Sequence, residues 1–313
     1  MPADHVHNHD VRLHGQGRLM QLATYAAMIS AAVLVVVKAS AYFDTKSVAV
    51  LSSLADSALD LLASGLTFMA VRLALTPADD GHRFGHGKAE PLSGLGQAAF
   101  VAGSAVLIMV EAVSRFHTPT VIEDGTLGIT VMVIASLVTL LLVTFQKYVI
   151  RKTNSTAIGA DSLHYTGDVL MNISVIVSLY LSSNMGITWA DPIFGVGISA
   201  FMLINAVRIA VGAVGGLMDQ ELPEDERREI VAIARQHPMV KHVHELRTRS
   251  SGLQKFIQMH VVLDRGLTLL EAHRISDAVE LAVQSSFPGA DIIIHQDPDG
   301  IDEFHQPVGA AIS

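Results

Sequence analysis

Residues 47–75 read SVAVLSSLADSALDLLASGLTFMAVRLAL, an apolar run interrupted by Asp56 and Asp60. A helix crossing a hydrocarbon core of about 30 Å needs roughly 20 residues, so this stretch is long enough to span a bilayer. The i, i+4 spacing puts both carboxylates on one side of the helix, one turn apart. A second apolar run repeats the pattern with His164 and Asp168. Ionisable groups at bilayer depth cost several kcal/mol or more unless they face a protein interior or a water path, so two such pairs point to an intramembrane cation site. Three carboxylates and one imidazole form a cage suited to a divalent metal.

Composition supports a membrane setting. Half of the 313 residues are apolar, only 16% are charged and the mean hydropathy is +0.42, too hydrophobic for an ordinary soluble enzyme. A net charge of −9 provides no basic field and argues against a nucleic-acid partner. Cysteine is absent and histidine numbers 15, so disulfides and thiolate sites are excluded and imidazole and carboxylate are the strong ligands left.

Six segments are long and apolar enough to span: 19–43, 47–75, 91–116, 127–149, 155–181 and 189–217. The first exceeds a signal-peptide core and is followed by no small-residue cleavage pattern, so it reads as a retained anchor. Arg12, Arg18, Arg72, Arg83, Lys88, Lys147, Arg151 and Lys152 fall on one side, against Lys46 and Arg115 on the other. The positive-inside rule then makes both termini cytoplasmic. Residues 1–18, with His5, His7, His9 and His14, read as a flexible polar leader whose histidines either scavenge metal or are incidental. Gly212 and Gly216 in the last span form a small-xxx-small pattern suited to close helix packing.

Beyond the membrane domain (19–218) the chain changes character, and 219–298 read as a soluble domain. Pro223 followed by Glu224, Asp225 and Glu226 marks a helix start, with the helix running to about residue 236. Strands are expected over 241–249 and 255–264 around a turn at Ser250, Ser251 and Gly252. In the second strand Ile257, Met259, Val261 and Leu263 share one face, leaving Phe256, Gln258 and His260 on the other. A helix over 268–286 and a strand over 291–295 complete an αββαβ order, a small α+β sandwich, with a loose tail over 299–313.

Four stretches, in this order, are similar to a known family: Asp56-Ser-Ala-Leu-Asp60; Asp79-Asp80-Gly-His82-Arg-Phe-Gly-His86-Gly-Lys88-Ala-Glu90; Asp161-Ser-Leu-His164-Tyr-Thr-Gly-Asp168; and Ile294-His295-Gln-Asp297-Pro298. They resemble the cation diffusion facilitators, in the branch of bacterial YiiP-like zinc/proton antiporters. The resemblance runs from about Arg18 to Pro298. It implies six transmembrane helices, a cytoplasmic domain with a metallochaperone-like fold, a homodimer, residence in the bacterial inner membrane, and alternating access that exports a divalent metal against protons. Position by position, it implies a transport site of Asp56, Asp60, His164 and Asp168. It also implies a loop site of Asp79, His82 and His86, and a binuclear cytoplasmic cluster of His244, His260, His273, His295 and Asp297. His242, two residues from His244 on the same strand face, competes as a ligand.

Electrostatics gives the transport site its own rationale. A neutral imidazole and three carboxylates carry a formal −3, which a bound dication largely neutralises; an empty cage takes up protons, and metal arrival expels them. Lys38 is the obvious basic residue that could instead tie the cage into a salt-bridge cluster. Nitrogen and oxygen ligands without sulfur favour zinc over magnesium, calcium and manganese, with cadmium and ferrous iron as alternatives. Zinc is then both substrate and, in the cytoplasmic cluster, a regulatory ion that steadies the dimer. A membrane-anchored metal sensor is the competing function. A membrane hydrolase finds no His-Glu-x-x-His sequence, and Tyr165 replaces the first glycine of the Gly-x-Gly-Asp protease pattern. A channel suits a nearly complete ligand cage less well than alternating exposure.

Overall fold

Apolar runs separated by short polar connections fold as six long helices in the computed structural model, which describes residues 3–45, 48–116, 126–185 and 189–300. These are α1 (Ala3–Thr45), α2 (Val48–Ala74), α3 (Ala89–Arg115), α4 (Thr126–Thr153), α5 (Thr156–Met185) and α6 (Ala190–Leu217). Because α1 begins at Ala3, most of the leader expected to be loose over residues 1–18 is helical. Lys46, Ser47 and the end of the tail, residues 301–313, lie outside the described residues.

Among the described residues, five of these helices are long and apolar enough to cross a membrane, and α5 is not among the five. Its first half carries Asp161, His164 and Asp168, which lower its hydropathy where the metal-binding chemistry is concentrated. The packing of the helical unit suits an apolar solvent. Large side chains such as Leu62, Leu107, Leu141 and Val211 face outward, whereas Ser57, Ser64, Thr67, Gln97, Gln146 and Asp161 are buried. In lipid there is little hydrophobic drive between helices, so small residues and interhelical hydrogen bonds hold them together.

Three glycines among α1–α6 mark close approaches between helices, Gly195 of α6 because a Cβ there would stand 2.8 Å from Ala112 Cβ of α3. A Cβ at Gly94 of α3 would stand 2.8 Å from Thr156 Cγ2 at the start of α5, and one at Gly167 of α5 would collide with Met202 of α6. Gly212, expected to pack closely, has no atom within 4 Å of its Cβ position among the described residues.

Gln16–Val214 form one compact unit, and the chain from Gly215 belongs to a second. The second contains α7 (Glu224–Ala234), β1 (His242–Ser251), β2 (Gln254–Leu263), α8 (Leu269–Ser286) and β3 (Asp291–Pro298), the expected αββαβ order. Glu224, Asp225 and Glu226 occupy the first turn of α7, where acids complement the helix dipole. The β1–β2 turn passes through Gly252 at φ 61°, a left-handed conformation that costs glycine little. Thr268 caps α8 in a reciprocal capping box with Glu271.

The sheet order is β1-β2-β3, antiparallel between the first two strands and parallel between the last two. Ile257, Met259, Val261 and Leu263 pack with Ile230, Val243, Ile275, Val279, Val283 and Ile292 in one core. Burying each such side chain contributes about 1.5–3 kcal/mol. Phe256 is also buried, and the Arg249 guanidinium lies 4.6 Å from its ring centroid. Strand β3 runs on to Pro298 rather than stopping at residue 295, which carries Asp297 into the ladder opposite Val262.

Candidate metal centres

Helices α2 and α5 bring Asp60, His164 and Asp168 together, with one ligand atom from each within 4.8 Å of the others. His164 Nε2 lies 2.7 Å from Asp60 Oδ1 and 3.8 Å from Asp168 Oδ2. His164 is buried, and Phe100 of α3 meets its ring edge-on at 5.6 Å. Asp56, the fourth expected ligand, is exposed one turn along α2 and stands outside this group. Its spacing from Asp60 is helical, and it stays within coulombic reach of Asp60, Lys38 and His164 without joining the convergent ligand atoms. Lys38 Nζ donates to Ser57 Oγ at 2.6 Å. It is also within coulombic reach of Asp60, Asp168 and Asp56.

Beside this group lies a buried polar network that residue spacing could have revealed, because Asp161 precedes His164 by three positions on the same helix. Gln146 Nε2 of α4 donates to Asp161 Oδ2 at 2.7 Å, and Ser64 Oγ of α2 donates to Asp161 Oδ1 at 3.2 Å. Ser64 Oγ and Tyr165 Oη share a further hydrogen bond at 2.8 Å. Gln97 Nε2 of α3 donates to Ala63 O and Thr67 Oγ1 of α2 at 2.7 and 3.0 Å. Together these bonds tie α3, α4 and α5 to the face of α2 that bears Asp60.

In the loop before α3, Asp79, His82 and His86 form a second group of convergent ligand atoms. Asp79 Oδ1 accepts from His82 N at 2.6 Å and Gly81 N at 2.9 Å. Those backbone donors, His82 N foremost, hold the Asp79 carboxyl below the usual carboxylate range. His82 Nδ1 lies 3.3 Å from Asp79 Oδ1, and His86 Nε2 lies 3.4 Å from Asp79 Oδ2. The two imidazole rings stand 4.4 Å apart.

In the soluble unit, strand register explains the third group. His244 pairs with His260 across β1 and β2, and His260 pairs with His295 across β2 and β3, so three imidazoles form one row over the sheet. Buried Asp297 sits beneath them: Oδ2 is 2.9 Å from His260 Nδ1 and 3.2 Å from His244 Nε2, while Oδ1 is 3.2 Å from His295 Nε2. Burial pushes the His244 imidazole below its ordinary pKa, against the opposing pull of Asp297. The competing ligand His242 stacks on His244 with ring centroids 5.9 Å apart. His273 is not brought into this group. It is exposed on α8 and pairs with Asp277 at 3.5 Å, because a helix on one face of the sheet cannot present it to the row within the described chain.

The transmembrane domain of the cation efflux family matches residues 24–218, and the cytoplasmic domain of cation efflux proteins matches residues 222–299. The chain belongs to the cation efflux family, the cation diffusion facilitators. It is 45% identical over 285 residues to the cation-efflux pump FieF of Cronobacter sakazakii, covering 91% of this chain and 95% of that one. FieF of Yersinia enterocolitica is likewise 45% identical over 284 residues, covering 91% and 94%. A solved structure of CzrB in its zinc form is 33% identical, covering 27% of this chain and 98% of that one, with a TM-score of 0.26. Members of the family are transporters and not enzymes, and this chain is an integral membrane exporter of divalent metal.

Proposed function

We propose that the chain exports zinc from the bacterial cytoplasm through a site formed by Asp60, His164 and Asp168, in exchange for protons. The observation that carries this reading is the convergence of an imidazole and two carboxylates from α2 and α5 inside a membrane unit. Such a donor set, without sulfur, suits zinc and other late first-row ions better than magnesium or calcium. Asp56, one turn from Asp60, completes the cage when α2 and α5 shift relative to each other during alternating access. Carboxylates and imidazole must be deprotonated to bind metal, so loading releases protons and unloading recovers them. Both termini are cytoplasmic in this reading, and the metal leaves on the opposite face.

The loop group of Asp79, His82 and His86 is proposed as a second ion site. The cytoplasmic cluster is proposed to hold zinc as a resident ion. His244, His260, His295 and Asp297 fit that role: they converge on a buried carboxylate whose two oxygens face different imidazoles, the donor arrangement of a bridged pair. Zinc there would fix the sheet edge and steady a homodimer, and His273 would join from a second copy of the chain.

The test is zinc flux in sealed liposomes that contain a zinc dye, under an imposed pH gradient. The native chain should accumulate zinc and dissipate the gradient, whereas Asp60→Ala should do neither. Equal flux in both would overturn the assignment of the transport site. Zinc entry without any change in internal pH would overturn the exchange for protons. Repeating the assay with cadmium and ferrous iron measures the substrate range.

A further inference from the structure

Strand β1 carries an acidic residue that alternation along the strand would place on the wrong face. His244 pairs with His260 and the next pair is Arg247 with Gln258, so Glu245 and Leu246 together stand opposite Met259. This is a β-bulge, a device that re-aims side chains. Leu246 takes the inward position and packs on the core. Glu245 adopts φ 47°, a left-handed conformation that a residue with a long side chain rarely holds. Its carboxylate consequently faces the histidine row: Oε2 lies 3.9 Å from His260 Nε2 and accepts from Arg247 Nη2 at 3.1 Å. His260 is thus flanked by two carboxylates, Asp297 at 2.9 Å from Nδ1 and Glu245 on the Nε2 side.

We infer that Glu245 is a positioning residue of the cytoplasmic metal cluster: once an ion replaces the proton that His260 Nδ1 shares with Asp297, Glu245 attracts the proton on His260 Nε2 and leaves Nδ1 free to ligate. The inference rests on the reading of that cluster as a metal site. Metal-bound imidazoles commonly donate their other N–H to a carboxylate, which fixes the tautomer and raises ligand basicity. A second carboxylate also adds negative charge that offsets the charge of a bound dication, and Arg247 holds it in place through the 3.1 Å hydrogen bond. A left-handed conformation at a residue that faces a ligand group is the pattern expected where function, not stability, selects the conformation.

Cobalt(II) tests this in the full chain in detergent, by equilibrium binding and by its visible absorption. Glu245→Gln should weaken one class of cobalt sites about tenfold and shift its absorption band, the lower end of what loss of such a partner costs. Glu245→Gly should weaken cobalt equally but raise the unfolding temperature of the metal-free protein, since glycine adopts φ 47° without strain. A lower unfolding temperature in both variants, with cobalt affinity unchanged, would assign Glu245 a structural role only and overturn the inference. Asp297→Asn separates the two readings. If it loses the cobalt class while both Glu245 variants keep it, the cluster stands and Glu245 has no part in it. If it too binds cobalt as the native chain does, the cluster itself is not a metal site.

Discussion

Gln146 Nε2 of α4 donates to Asp161 Oδ2 of α5 at 2.7 Å, with both side chains buried in the helical unit. The bond matters because Asp161 also accepts from Ser64, one turn beyond Asp60 on α2, and lies one turn before His164 on α5. The spacing between the two ligand-bearing helices is therefore set by hydrogen bonds beside the site as well as by packing.

Replacing Asp161 with Ala should destabilise the helical unit by about 1–3 kcal/mol, since it strands the buried Gln146 amide without its acceptor. Thermal unfolding in detergent measures the loss. Asp161→Asn, which preserves shape and most hydrogen-bonding capacity, should recover most of it.

Metal preference should follow the one imidazole of the transport group. His164→Asp replaces nitrogen with oxygen and should move selectivity away from zinc toward manganese, because harder ligands suit harder ions. Competition between zinc and manganese uptake in liposomes reads this directly. An unchanged ratio would show that the imidazole does not touch the transported ion.

The soluble unit carries a clamp in which Lys241 Nζ binds Asp299 Oδ2 at 2.6 Å and Asp264 Oδ2 at 3.1 Å, joining the start of β1 to the ends of β2 and β3. The side-chain bond to Asp299, then that to Asp264, raises the Lys241 pKa above 10.5. Its contribution is accordingly complete below that value and lost as pH climbs through the raised folded-state value. The Gly266 backbone N–H, followed by Lys241, holds Asp264 below 3.8. Its contribution is complete above 3.8 and lost as pH falls through the lowered folded-state value. Stability from the clamp should thus be flat across the neutral range and decline at both extremes, and Lys241→Met should remove the alkaline decline from a plot of unfolding temperature against pH while only lessening the acidic one, which the Gly266 N–H still sustains.

Thr268 Oγ1 accepts from Glu271 N at 3.3 Å, while Glu271 Oε2 accepts from Thr268 N at 2.8 Å. Thr268→Ala should cost about 1 kcal/mol, the usual loss for a helix N-cap. Denaturant unfolding of the native chain and the variant, compared at equal slope, measures it.

Much of this was legible in residue order. Apolar runs of spanning length identified the helices, and the 2-residue alternation of Ile257, Met259, Val261 and Leu263 identified both a strand and its buried face. The i, i+4 pairs marked α2 and α5 as the ligand-bearing helices. Other features resisted because they depend on how elements meet. Asp56 and Asp60 are equivalent in spacing, yet only Asp60 joins His164 and Asp168. Gly212 looks like a packing site, yet Gly94, Gly167 and Gly195 mark the close approaches. His273 is as plausible a ligand as His260, but it pairs with Asp277.

Residue order by itself determined that this protein is a six-helix membrane unit followed by an αββαβ domain, with metal-binding side chains at recognisable spacings, because hydrophobic periodicity and helical or strand geometry act locally along the chain. Tertiary structure alone decided which of those side chains converge, how Asp161 ties α2, α4 and α5 together, and that a bulge turns Glu245 toward His260. Register, bulges and helix rotation arise from the packing of distant segments, and the energies that select them are contact energies between residues far apart in the chain.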